Sequence, residues 1–224
     1  MSTENPFASA GAAAGYAEGP PKLVPGHRDL LRMAGVLIAE AAPADGRILV
    51  LGAGGGLEMR AFATAQPGWR LTGVDPSAAM LDVARQTLGD LVGRAELIDG
   101  TVAAAPEGPF DGASCILTMP FIAAEDRLPT LRALHKCLRP GARLVMAHHS
   151  FPRSPQDDAL WMGRFSAFAA LSGVALDTAR RDEMLARLTI LSPEAEEDLL
   201  ARAGFRDIAL FYAALAFRGW VATA

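Results

Sequence analysis

Arg47-Ile48-Leu49-Val50-Leu51-Gly52-Ala53-Gly54-Gly55-Gly56-Leu57-Glu58 decides how the chain is read. Ile48 to Leu51 run without polar alternation, the pattern of a strand covered on both faces in a parallel sheet. Gly52, Gly54, Gly55 and Gly56 then permit a sharp turn and open backbone N–H groups to a ligand, with no Cβ in the way. A helix over roughly 57–64 follows and aims the positive end of its dipole at the same place. A plain strand-to-helix connection would also use glycines, so the residues downstream decide whether the turn holds a ligand.

They favour one. Arg70-Leu71-Thr72-Gly73-Val74-Asp75 reads as a second strand, and its acid falls about 20 residues beyond the glycines, where nucleotide-binding α/β folds place a carboxylate for ribose hydroxyls. Helix capping is the competing role for Asp75. Pro76-Ser77 opens the next helix, with Met80, Leu81 and Ala84 on its inner face. Residues 95–101, 110–118 and 142–149 read as three further strands, with a helix over 128–138 stopped at Arg139-Pro140-Gly141. Alternating strands and helices at this spacing predict an α/β fold with a doubly wound, mostly parallel sheet of seven strands. Ligands in such sheets lie at the carboxyl ends of the strands. Those ends are 52–56, Asp75, 100–102, 117–120 and 148–150, so five strand ends converge on one crevice.

The rhythm breaks after Pro152. Segments 156–171 and 176–191 read as two mostly apolar helices, a cap inserted over about 153–191 of the kind that covers a site and selects what enters it. Ser192-Pro193-Glu194 opens another helix with a Ser cap and Pro at its first position, and Gly204 closes it. Residues 207–214 and 215–222 then form an antiparallel edge hairpin. Residues 1–21, rich in Ala, Gly, Ser and Pro, form a flexible segment or a lid ahead of a domain over 22–224.

Composition sets outer bounds. The chain has 224 residues, enough for one full core, and a hydrophobic share of 51% against 21% charged, ordinary for a globular protein. No apolar run approaches the roughly 20 residues of a membrane helix, so no membrane partner is expected and a cytoplasmic location is. Cys115 and Cys137 have neither the number nor the spacing of a metal cage and read as buried free thiols. The net charge of -4 offers no global attraction to nucleic acid. A tRNA partner is therefore not favoured, although a local basic patch would serve one.

With these residues in place the chain resembles the class I S-adenosylmethionine-dependent methyltransferases. Val50-Leu51-Gly52-Ala53-Gly54-Gly55-Gly56 resembles the first motif of that family, Gly73-Val74-Asp75-Pro76-Ser77 its second, and Leu138-Arg139-Pro140-Gly141-Ala142-Arg143-Leu144-Val145 the strand after its fourth. A dehydrogenase is the rival, but its Gly-x-Gly-x-x-Gly fingerprint fails here, because Leu57 stands at the third glycine. The resemblance implies S-adenosyl-L-methionine as cofactor, its methionine moiety at Gly52, Ala53 and Gly54, its ribose at Asp75, and its adenine at the turn with Thr101 and Val102. Pro76, Met80 and Ile116 flank these contacts. Val50 and Thr101 stand where the wider family commonly has acids.

A narrower resemblance covers both ends of the chain. Val24-Pro25-Gly26-His27, Glu183-Met184-Leu185 and Ala203-Gly204-Phe205 are similar to the carboxy-S-adenosylmethionine synthase group, once called tRNA uridine-5-oxyacetate methyltransferases. This adds His27, a tyrosine in that group, to the cofactor contacts, and it implies a homodimer. The arginine with which that group holds an extra carboxylate falls at Leu199, and an apolar side chain cannot neutralise a carboxylate. The ordinary cofactor is therefore expected, with a small molecule as methyl acceptor; carboxy-S-adenosylmethionine synthesis or tRNA wobble-uridine modification is the alternative, and a cofactor-binding protein without turnover, which Val50 and Thr101 make conceivable, is a second. Thr118, Tyr212 and Arg218 are assigned to the acceptor pocket. His148 and His149 are the candidates for a general base. Strand alternation turns only one of them toward the crevice, and His148 is assigned the role, with structural packing as the competing reading.

Overall fold

The computed structural model describes residues 19–224. The expected lid reading for residues 1–18 lies outside the described residues. Gly19–Leu23 forms a short helix, α1, with Pro20 buried, so the last part of the segment expected to be flexible is ordered.

Seven strands form one sheet in the order β3-β2-β1-β4-β5-β7-β6. They are β1 (Arg47–Leu51), β2 (Arg70–Asp75), β3 (Ala95–Asp99), β4 (Phe110–Ile116), β5 (Leu138–His149), β6 (Arg206–Ala214) and β7 (Phe217–Thr223). The first five are mutually parallel, while β7 runs antiparallel to both β5 and β6. The expected doubly wound sheet and closing hairpin are both present. Successive strands step outward from β1 to β3, and the chain then crosses back to place β4 on the other side of β1. The switch point is therefore the gap between the ends of β1 and β4, where open α/β sheets bind ligands.

Helices cover both faces. On one, α2 (His27–Ala39), α3 (Leu57–Ala65) and α4 (Ala78–Leu88) bury Leu30, Ile38, Met59, Phe62 and Leu81. On the other, α5 (Ala124–Cys137) and α8 (Pro193–Ala203) bury Leu131, Leu134 and Leu200. The fully enclosed apolar side chains of β1 lie between these layers, which is why that strand carries no polar alternation.

Three expectations about elements need correction. The α5 helix begins at Ala124, not 128, with Pro129 inside it. Its extra turn carries Glu125 and Asp126, which the positive helix terminus favours, and Pro129 gives up one backbone donor near that end. Strand β5 begins at Leu138 and runs through Pro140-Gly141, where the Gly141 amide is bonded to Ala224 O at 2.8 Å. In the cap, α6 (Pro155–Leu171) is close to its expected span, but α7 is only Thr178–Arg187, charged, and without a buried residue. Asp177 caps α7 through the Arg180 amide.

The cap leaves and rejoins the sheet at one point. Ser150 pairs with Leu191 as an isolated bridge and donates its Oγ to Leu191 O at 3.0 Å. Arg153 reaches across to Ile190 O, and Arg127 of α5 donates to Thr189 O. No helix among the described residues is long and apolar enough to cross a membrane.

Candidate functional site

Gly52 leaves β1 with φ +76°, and a Cβ there would lie 1.9 Å from Thr118 Oγ1 at the end of β4. The two strand ends at the switch point are thus pressed together, and only glycine fits between them. Thr118 Oγ1 in turn donates to Ile116 O at 3.1 Å. Gly56, with φ +79°, is equally constrained, because its Cβ would meet the Ala84 backbone at 2.8 Å. The glycine turn is therefore held from two sides.

Asp75 fixes it from a third. Its Oδ2 accepts the Gly54 amide at 2.9 Å and its Oδ1 accepts the Ser77 amide at 2.9 Å. Burial pushes the Asp75 carboxyl above the usual aspartate value; the Gly54 and Ser77 amides pull it down and the nearby Asp99 adds to the rise. Of the two roles weighed for this acid, the helix contact is present, since its Oδ1 accepts the Ser77 amide at the start of α4.

His27, Gly52, Ala53 and Ile116 share one pocket with Leu117 and Glu58. The pocket is small, about 30 Å³, and Pro20 of α1 forms part of its wall. Burial pushes the His27 imidazole down to about 4, which keeps it neutral at physiological pH. Leu117 is held at φ 60°, a conformation rare for a branched side chain, and its strain lies on the pocket wall. Met80 is buried at 2% and packs inward, and Pro76 is exposed beside Asp75. Thr101 is exposed and Val102 half-buried in the short turn after β3, which the Gly100 amide ties to Asp75 O at 3.1 Å.

Three assigned side chains lie elsewhere. His148 is fully enclosed on the α8 face, with Nε2 2.9 Å from Glu196 Oε1 and its ring beside Trp220. Glu196 also receives Arg127 Nη1 at 2.7 Å, and all three side chains are sealed from solvent. The assignment of His148 as a base at the crevice is therefore corrected: alternation along β5 turns it under the sheet, into a buried ionic cluster. His149 faces the other side, with its ring against Phe217 at 4.0 Å and Phe165 of the cap at 5.0 Å. Tyr212 donates its hydroxyl to Pro25 O, tying the edge hairpin to the turn before α2. Arg218 stacks over Trp161 of the cap at 5.1 Å and donates to Leu215 O and Phe217 O. Leu199 packs against the core from α8, so that position is no part of the crevice.

Sequence reasoning missed Glu58. It is an acid buried to 6% exposure at the second position of α3. The available signal was its place between Leu57 and Met59, immediately after the glycines, where an apolar residue would suit the packing.

Comparison with known proteins agrees with this geometry. Residues 49–144 match the model of a methyltransferase domain family. A carboxy-S-adenosyl-L-methionine synthase of Chromohalobacter salexigens is 27% identical over 206 residues, covering 89% of this chain and 76% of that protein. The enzyme of the same name from Pseudomonas fluorescens is 26% identical over 211 residues, covering 89% and 85%. Among solved structures, human N-acetylserotonin methyltransferase in complex with SAM superposes with a TM-score of 0.65 at 16% identity, over 100% of this chain and 60% of that one. An O-methyltransferase family protein from Burkholderia thailandensis gives 0.69 at 15% identity, over 95% and 59%.

Residues 49–144 of this chain thus carry a methyltransferase domain. The dehydrogenase alternative falls with that family match and with the methyltransferase ending of the sheet, in which β7 runs antiparallel beside β5. The chain spans about 60% of the length of those solved methyltransferases, so their likeness speaks for the shared fold.

Proposed function

We propose that this methyltransferase transfers the methyl group of S-adenosyl-L-methionine to a small-molecule acceptor admitted beneath the cap. The observation that carries this reading is the pocket that Gly52, Ala53, Gly55 and Gly56 line together with His27 and Ile116 at the switch point. The cofactor supplies a methyl group on a sulfonium, activated for direct displacement.

The protein's task is then to orient and to exclude water. The glycine turn lets the ligand approach, and the start of α3 offers its positive helix end to the carboxylate of the methionine moiety. Asp75 presents its carboxylate toward the ribose position, and the turn with Thr101 and Val102 borders the adenine. Pro76, Met80 and Ile116 fill in around them. Thr118, beside Gly52, stands closest of the assigned acceptor contacts to the glycine turn; Tyr212 and Arg218 act one step back, by holding the α1–α2 turn and the cap. With His148 buried, a general base is not part of this reading, which suits an acceptor that attacks without losing a proton first.

Titration calorimetry with S-adenosylmethionine, and separately with NADH, tests the cofactor reading. Mass spectrometry of any ligand that co-purifies adds a second readout. Binding of the sulfonium compound and not of NADH is expected.

A second reading, synthesis of the carboxylated cofactor, is favoured by the relatives named above, which align over 89% of the chain. Recovery of a carboxylated ligand would support it over the first. The resemblance to that group also supports a homodimer acting in the cytoplasm, which sedimentation and fractionation test. A tRNA substrate is not favoured by the net charge of -4.

A further inference from the structure

The wall of the glycine-turn pocket contains a carboxyl group with one oxygen that the fold leaves without a partner. Glu58 Oε1 is buried and has no hydrogen-bond partner among the described residues, while the residue borders the same pocket as Gly52, Gly55 and His27. A glutamate in a first helical turn is ordinary when exposed, where it complements the helix dipole. Enclosing one without a partner is costly. The titratable and charged groups that face it offer no compensating cation: His27 on α2 is kept neutral by burial, and Cys115 on β4 is a buried thiol. Ser114 on β4 contributes a hydroxyl alone.

The pocket thus sets two complementary features side by side. The amides of Gly52, Ala53, Gly54 and Gly56 are bonded within the fold, so the start of α3, with its positive helix end, is what suits an anion, and the open carboxyl oxygen of Glu58 beside it suits a cation with hydrogens to donate. Adjacent anion and cation sites of this kind fit the zwitterionic end of an α-amino acid. Val50, behind the turn, is fully buried and apolar and offers no second acid.

We propose that Glu58 receives the α-ammonium group of the cofactor's methionine moiety and so positions the amino-acid end in the pocket. This rests on the reading of the pocket as the cofactor site. Burial pushes the Glu58 carboxyl up to about 8, against the pull of Ser114. The empty site therefore holds the neutral acid at pH 7, and pairing with an ammonium favours its ionised form. The proton that leaves the carboxyl goes to solvent, so binding of the amino-acid end releases close to one proton at pH 7.

Calorimetry of the full chain at pH 7, in phosphate and in Tris, measures this directly. The ligands are S-adenosylhomocysteine, which keeps the amino-acid end, and methylthioadenosine, which lacks it. Expected for the wild type is release of close to one proton with the first ligand and none with the second. Glu58→Gln, which imitates the protonated acid and so leaves packing intact, should bind S-adenosylhomocysteine at least tenfold more weakly without proton release, and methylthioadenosine unchanged. Equal affinity of both proteins for S-adenosylhomocysteine, or an equal loss for both ligands, overturns the assignment. Wild-type binding without proton release overturns it too, whether or not the variant folds. A wild type that binds neither ligand removes the cofactor-site reading itself, and the role of Glu58 with it.

Discussion

Asp75 Oδ2 accepts the Gly54 amide at 2.9 Å, so the acid that ends one strand holds the turn that ends its neighbour. The acid proposed to face the ribose is thereby also a structural clasp on β1, and a change in one role would be felt in the other.

Asp75→Asn keeps one oxygen acceptor and leaves one of the two amides, Gly54 or Ser77, facing an N–H₂ group. A buried donor without a partner costs about 1–3 kcal/mol. The expected outcome is a loss of that size in thermal or urea unfolding, together with at least a tenfold loss of affinity for S-adenosylhomocysteine. Helix capping alone would move the unfolding midpoint and leave the affinity where it was.

At Gly52 the steric argument is separable. Gly52→Ala places a methyl 1.9 Å from Thr118 Oγ1 and 2.7 Å from Thr118 Cβ at a φ of +76°. Destabilisation above about 3 kcal/mol is expected. Adding Thr118→Gly removes the clash and leaves the cost of the left-handed backbone, about 1–2 kcal/mol, so a double-mutant cycle should show strong positive coupling. Additive losses would mean that the two strand ends are not in contact.

Beneath the sheet, Glu196 accepts from Arg127 and stands against His148 with no solvent near. Burial works to raise the Glu196 carboxyl, and the His148 and Arg127 contacts outweigh it, holding the group below the ordinary glutamate value. Arg127→Met strands this charge and also releases Thr189 O and Ile122 O. A loss of about 3–5 kcal/mol is expected, most of it recovered by adding Glu196→Leu. If unfolding experiments show no recovery, the arginine acts through its backbone contacts instead.

His149 gives the protein an acid-sensitive margin. Burial first, and then the neighbouring His148, pushes its imidazole down to about 3, against a backbone contact with Ala216. The folded state therefore binds fewer protons than the unfolded chain between about pH 6.5 and 3, and stability falls as the pH drops through that window. Its slope is up to about 1.4 kcal/mol per pH unit for each such group. His27 adds a second contribution between about 6.5 and 4. In urea titrations at stepped pH, His149→Phe should flatten the acid limb by about one proton; an unchanged limb would show that the ring ionises freely.

The sheet was legible because its information is local. The apolar run into glycine, the acid of β2 and the alternation of elements each follow from a few neighbouring residues, and the switch point follows from their order. The His148 assignment failed for a non-local reason: alternation tells that His148 and His149 face opposite ways, and only the partners Glu196 and Arg127, far along the chain, decide which way each points. Helix α7 was misjudged in polarity because Leu176, Leu188 and Leu191 flank it in extended segments and were counted as part of it. Glu58 was invisible because its burial depends on α2 and β4 closing over it, and no spacing rule announces that.

The cap departs at Ser150 and returns at Leu191 through a shared bridge, with Arg153 and Arg127 gripping the return strand at Ile190 and Thr189. Its two ends are thus already joined before any of its own helices form, and lengthening a loop whose ends are joined costs only about 0.6 kcal/mol for each doubling. Evolution can treat that segment as an exchangeable cassette. A descendant of this chain can acquire a different segment between Ser150 and Leu191 while the glycine turn between β1 and α3 is inherited untouched.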